Sequence, residues 1–102
     1  MKIESIIDYI EKRKVIWTNH CLNRLNQRDI LINDVKTAIK NGKIIEWYYD
    51  DYPYPSCLIL GRNKKNEILH IVCGIGDDLL YMITAYYPNI VKWEEDMKTR
   101  RK

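Results

Sequence analysis

A single change of hydrophobic period, near residue 42, divides this chain into a helical part and a sheet-forming part. Before the change, Ile3, Ile6, Ile7 and Ile10 recur at i, i+3, i+4 and i+7, with Glu4, Asp8 and Glu11 on the other side. That spacing predicts an amphipathic helix over residues 2 to 12. Thr18 and Asn19 can cap a second helix, "HCLNRLNQRDI", whose apolar face is Cys21, Leu22 and Leu25. Asn33 and Asp34 can start a third, "DVKTAIKN", for which Gly42 is the expected C-terminal cap. After the change, β-branched and aromatic residues alternate in "KIIEWYYD", "SCLILGRN", "EILHIVCGIG" and "LLYMITAYY", separated by "DYPYP", "KKN" and "DD". These read as four strands joined by hairpins. Pro88 closes the last strand, and "VKWEEDMKTRRK" follows as a tail or short helix packed through Trp93.

Helices followed by strands predict a single α+β domain over residues 1–102. The helices span about 2–42, a four-stranded antiparallel sheet about 43–88, and a C-terminal helix or tail 89–102. With helices on one sheet face, the other face must be wet or bound to something.

The chain has 102 residues, enough for one real core and too few for two. It is 46% hydrophobic and 30% charged, the profile of a folded domain. Net charge is only +3, so the distribution of charge says more about partners than its sum. The basic runs "EKRK" and "KTRRK" are most simply solvated. Cys21, Cys57 and Cys73 are odd in number and lack C-x-x-C spacing, which disfavours a disulfide scaffold or a zinc knuckle. Free thiols, no signal-like apolar run at the N-terminus and no span of about 18 apolar residues lead to the expectation of a cytoplasmic protein without membrane contact.

The chemistry-bearing residues begin on the second helix, where His20, Arg24 and Arg28 follow at steps of four. Each step turns about 40° around the axis, so the three form one spiralling stripe bordering the apolar face. Such a stripe is either a solvated flank or one wall of an anion-binding cleft. In the third strand Ile68, His70 and Val72 point to one face and Leu69, Ile71 and Cys73 to the other. In the fourth, strict alternation puts Met82, Thr84 and Tyr86 together. A lone strand histidine is more often structural than catalytic. Two histidines, two guanidiniums and a Thr/Tyr hydroxyl pair nevertheless cover the needs of RNA phosphodiester cleavage without metal. That reaction needs a base for the 2′-hydroxyl, an acid for the leaving 5′ oxygen, and cations for charge growing on phosphorus. Asp50-Asp51 lies beside a turn, and no other acid pair has magnesium-like spacing. Trp47, Tyr48, Tyr49, Tyr52 and Tyr54 could stack bases, or pack a hairpin that presents a protein-binding face.

The succession "HCLNRLNQRDI", "NGKIIEWYYDDYPYPSCLILG", "LHIVCG" and "ITAYYPNIVKW", in that order, resembles the bacterial domain of unknown function 4258 family over roughly residues 17 to 93. Cys21 stands where relatives commonly have Ala, and Asp29 where they commonly have Gly. The family looks like a branch of the RelE/ParE/BrnT-type toxin fold. The resemblance implies a type II toxin of a toxin–antitoxin pair, a metal-independent ribonuclease acting on RNA without a cofactor, with a cognate antitoxin that is a small zinc-binding protein. It carries the family's polar motif onto His20, Arg24, Arg28, His70, Thr84 and Tyr86. His20 and His70 would be base and acid in unassigned order, Arg24 and Arg28 phosphate clamps, Thr84 and Tyr86 orienting hydroxyls. The alternatives are a non-catalytic module that grips an acidic protein segment and a gyrase-directed toxin of the same fold.

Overall fold

The computed structural model describes all 102 residues. In chain order they form α1 (Ile3–Glu11), β1 (Val15–Trp17), α2 (Asn19–Gln27), α3 (Ile32–Lys40), β2 (Lys43–Tyr48), β3 (Ser56–Arg62), β4 (Ile68–Gly76) and β5 (Leu79–Tyr86). The sheet order is β1-β5-β4-β3-β2. Four of the strands form the expected antiparallel meander. The fifth, β1, corrects the expected four-stranded sheet: Val15, Ile16 and Trp17 pair in parallel with Leu80, Tyr81 and Met82 of β5. Three residues are too few to show a period, but two β-branched residues and a tryptophan suit a pleated edge.

The local signals are physical. Thr18 accepts the Cys21 N–H at 3.0 Å and opens α2. Asp29, at φ 54°, ends it in the left-handed conformation, and the Ile30 N–H returns to the Leu25 carbonyl at 2.9 Å. Asp34 reaches back to the Leu31 N–H at 2.9 Å, so α3 starts at Ile32, slightly earlier than expected. Asp77 and Asp78, both with positive φ, make the two-residue turn between β4 and β5. Gly42 corrects another expectation. Its φ is not positive, and glycine is needed there because a Cβ would stand 2.6 Å from the Ala38 carbonyl oxygen.

One sheet face carries the core. Ile6 and Ile10 of α1, Cys21 and Leu25 of α2, and Val35, Ala38 and Ile39 of α3 pack on Ile59, Leu69, Ile71, Leu80, Met82 and Ala85. Gly61 lets α3 approach β3, since a Cβ on it would lie 1.8 Å from the Ala38 carbonyl oxygen. A β-bulge then sorts the last strand. Thr84 pairs with Val72 and Met82 with Cys73, leaving Ile83 as the extra residue. Met82 and Ala85 therefore join the core, while Thr84 and Tyr86 turn to the opposite face. The strict alternation that groups Met82 with Thr84 and Tyr86 fails at this one residue.

The opposite face is partly covered by the chain itself. Residues 88 to 102 form neither a helix nor a loose tail but a folded strap, closed by a bridge between Trp93 and Arg100. Trp93 is buried, as its expected packing role requires, and stands edge-on to His70 with ring centres 4.5 Å apart. Arg100 lies over Trp93 at 4.6 Å and pairs with Glu46 of β2 at 3.0 Å. Burial works to raise the Glu46 carboxyl, and hydrogen bonds from Arg100 and Tyr48 outweigh it, holding Glu46 below its usual range.

Candidate anion-binding cleft

The helical stripe on α2 faces the end of β5 and the beginning of the strap. Between them opens a cleft of about 490 Å³, walled by His20, Arg24, Arg28, Thr84, Tyr86, Lys92 and Arg100 with Ile83, Pro88, Asn89 and Trp93. No carboxylate lines it. His20 and Arg24 are exposed, and Arg28 is half-buried at its foot.

Arg28 is placed by the shortness of β1. Because β1 pairs β5 only from Leu80 to Met82, the β5 edge beyond Met82 has no strand neighbour. The Arg28 guanidinium fills that place, its Nη1 donating to the Ala85 carbonyl at 2.8 Å and to Thr84 Oγ1 at 3.1 Å. It also lies 6.0 Å from the Tyr86 ring centre. One nitrogen of the fork is thus structural, and the rest of its donors are left for a ligand.

The structure brings five of the six expected residues to the cleft wall and sets the sixth behind it. His70 is fully buried, beneath Trp93 and Tyr86. Its Nε2 hydrogen-bonds the Met97 carbonyl and its Nδ1 the Tyr86 hydroxyl, the latter at 3.2 Å. A carbonyl only accepts, so Nε2 carries the proton and Nδ1 accepts from Tyr86. Burial pushes the His70 pKa down, against the Met97 carbonyl, which favours the charged ring. Burial likewise pushes the Tyr86 hydroxyl up. His20 and His70 are therefore not two open groups facing each other across a phosphate. His70 reaches the cleft only through Tyr86.

Lys92, Arg100 and Trp93 are cleft residues that sequence reasoning missed. Arg100 lies in "KTRRK", where it resembles its solvated neighbours, and its pairing with Glu46 across 54 residues and its place over the Trp93 ring distinguish it. The clue available was Trp93, an apolar anchor that had to carry its neighbours onto the sheet.

Nowhere do three or more His, Cys, Asp or Glu side chains gather in a way that could hold a metal ion. No helix is long and apolar enough to cross a membrane. A second cleft, about 580 Å³, lies between α1 and the β4–β5 turn. Its charges satisfy one another, Lys12 with Asp8 at 2.9 Å and Lys14 with Asp78 at 2.6 Å, so it offers little to a charged ligand.

The molecule is thus an α+β domain whose one strongly cationic recess lies where a helix meets the end of a sheet. The family model of a domain of unknown function, DUF4258, matches residues 17–87, and the chain belongs to that family. The match takes in His20, Arg24, Arg28, His70, Thr84 and Tyr86 and stops short of the strap. No curated protein and no solved structure matches the chain.

Proposed function

We propose that this protein is the toxin of a type II toxin–antitoxin pair and cleaves RNA phosphodiester bonds without a metal. The observation that carries the reading is the carboxylate-free cleft in which His20, Arg24, Arg28 and Lys92 meet Tyr86, whose hydroxyl bonds the His70 ring behind it. The likeness of the domain of unknown function 4258 family to RelE/ParE/BrnT-type toxins, read from sequence alone, points the same way.

The chemistry follows from the proton positions. The RNA 2′-oxygen attacks the adjacent phosphorus, the bond from phosphorus to the 5′ oxygen breaks, and a 2′,3′-cyclic phosphate and a 5′-hydroxyl result. Tyr86 takes the 2′-hydroxyl proton as its own passes to Nδ1 of His70, which burial keeps neutral and able to accept. The Met97 carbonyl, already on Nε2, steadies the ring when it becomes charged. His20 is the general acid that gives a proton to the departing 5′ oxygen. Arg24, the free donors of Arg28, and Lys92 neutralise the charge that grows on the phosphate. His70 is a positioning and relay residue in this scheme, and Tyr86 touches the substrate.

The non-catalytic alternative draws on the bonds that already occupy Arg28, because a guanidinium used to brace β5 can grip a carboxylate as well as a phosphate. Controlled expression in bacteria separates the two. The wild type should arrest growth and degrade cellular RNA, while His20→Ala and Tyr86→Phe should be tolerated with RNA intact. A harmless wild type with intact RNA would leave only the binding module, and arrest with intact RNA but altered supercoiling would indicate a gyrase poison. The cognate antitoxin, a small zinc-binding protein on this reading, would neutralise by covering the same cationic recess.

A further inference from the structure

Beside the cationic cleft lies a smaller notch of about 260 Å³ with a different character. It is lined by Tyr52, Tyr54 and Tyr81, with Pro53, Gly74 and Ile83. Tyr54 and Tyr81 stack with ring centres 5.3 Å apart and planes inclined by 25°, and Tyr52 is 95% exposed. Two elements join notch and cleft. Ile83, pushed outward by the β-bulge, lines both depressions and forms the ridge between them. The N-terminus of α2 supplies Thr18 to the notch and His20 to the cleft.

The only charged group lining the notch is the Asp51 carboxylate. Its Oδ2 accepts from the Ser56 hydroxyl and keeps a second lone pair, so both carboxylate oxygens can accept from a ligand. A flat, π-faced, uncharged group fits these walls, and its edge must donate hydrogen bonds to Asp51. Resting on the reading of the cleft as an RNA phosphate site, we infer that the notch binds one unpaired nucleobase of the same strand, and that it prefers guanine. Guanine offers a carboxylate two adjacent donors, N1–H and the 2-amino group. Adenine and cytosine offer an amino group beside an acceptor nitrogen. Uracil offers one N–H between two carbonyls that repel the carboxylate. The tyrosines supply sequence-tolerant stacking, and Asp51 supplies the choice of base.

Binding to uncleavable 2′-O-methyl pentanucleotides, UUGUU and UUUUU, tests this by fluorescence anisotropy. Wild-type protein should bind UUGUU about tenfold more tightly than UUUUU, and Asp51→Asn should bring the two affinities together. Tyr52→Ala, at a position too exposed to matter for folding, should weaken both oligonucleotides by several fold. Arg24→Ala, in the neighbouring cleft, should weaken both while keeping their ratio. Equal wild-type affinity for the two, still dependent on Arg24, would overturn the guanine notch and leave the phosphate cleft standing. Equal affinity with no effect of Arg24→Ala, or no binding of either, would overturn both.

Discussion

Two arginines one helical turn apart have different standing. Arg24 is exposed and its only side-chain partner is Gln27 at 3.5 Å, whereas Arg28 braces the open edge of β5 through Ala85 and Thr84. Arg24→Ala should leave stability within about 0.5 kcal/mol of wild type, as expected for a surface position. Arg28→Ala leaves the Ala85 carbonyl without that donor and should cost about 1–2 kcal/mol, visible as a lower urea midpoint at unchanged m-value. Both should weaken RNA binding, so affinity and stability separate the two residues. Equal midpoints would show that the Arg28 bonds contribute nothing to the fold. This difference was not legible in the sequence, where both belong to one stripe. It arises because β1 is three residues long and leaves the β5 edge open beside Arg28 alone. Asp29 was legible in its residue type: Asp is one of the few side chains that tolerates positive φ after a helix, and it adopts it.

At the scale of elements, the strap depends on two titrating groups beneath it. The Glu46 carboxyl lies below its ordinary range, so its contribution is present above the unfolded pKa of about 4.3 and is lost as pH falls through the folded value. Burial places the His70 pKa below the ordinary value of about 6.5. Between that value and its lower folded value the unfolded chain binds more protons, so stability rises with pH across this window. Acidification from pH 7 to pH 5 should therefore speed hydrogen exchange in residues 89–101 ahead of β3 and β4, once intrinsic exchange rates are corrected for pH. Uniform protection at both values would contradict the role given to His70. Trp93→Ala should cost about 3–5 kcal/mol and expose His70, read by denaturant unfolding and by titration of the His70 ring. The strap was half legible. Trp93 announced a packed tail, but no periodicity announces irregular chain folded around one indole and held by a guanidinium on Glu46.

A comparable precision governs the helix layer. Gly61→Ala forces a Cβ onto the Ala38 backbone and should destabilise the domain by about 1–3 kcal/mol through displacement of α3, measured by thermal unfolding. The helices and the meander could be read from period and turn residues because those signals are local. The bulge at Ile83 could not, since it is set by the pairing of β5 with β4, and it decides which side chains reach the cleft.

For the molecule as a whole, helices cover one sheet face, the strap covers part of the other, and a cationic recess is left where the two arrangements meet. Five of the six residues collected from the sequence line that recess because α2 lies along β5, and His70 stands behind them because the strap folds over it. The central claim is that this recess cuts RNA by way of Tyr86 and His20. Its most direct test is incubation of purified protein with a single-stranded RNA in excess EDTA, with the product ends identified by mass spectrometry. Expected are fragments ending in 2′,3′-cyclic phosphate and 5′-hydroxyl from the wild type, slowed at least about a hundredfold by Tyr86→Phe or His20→Ala in folded protein. RNA left whole by the wild type, or cut equally well by both variants, would contradict it.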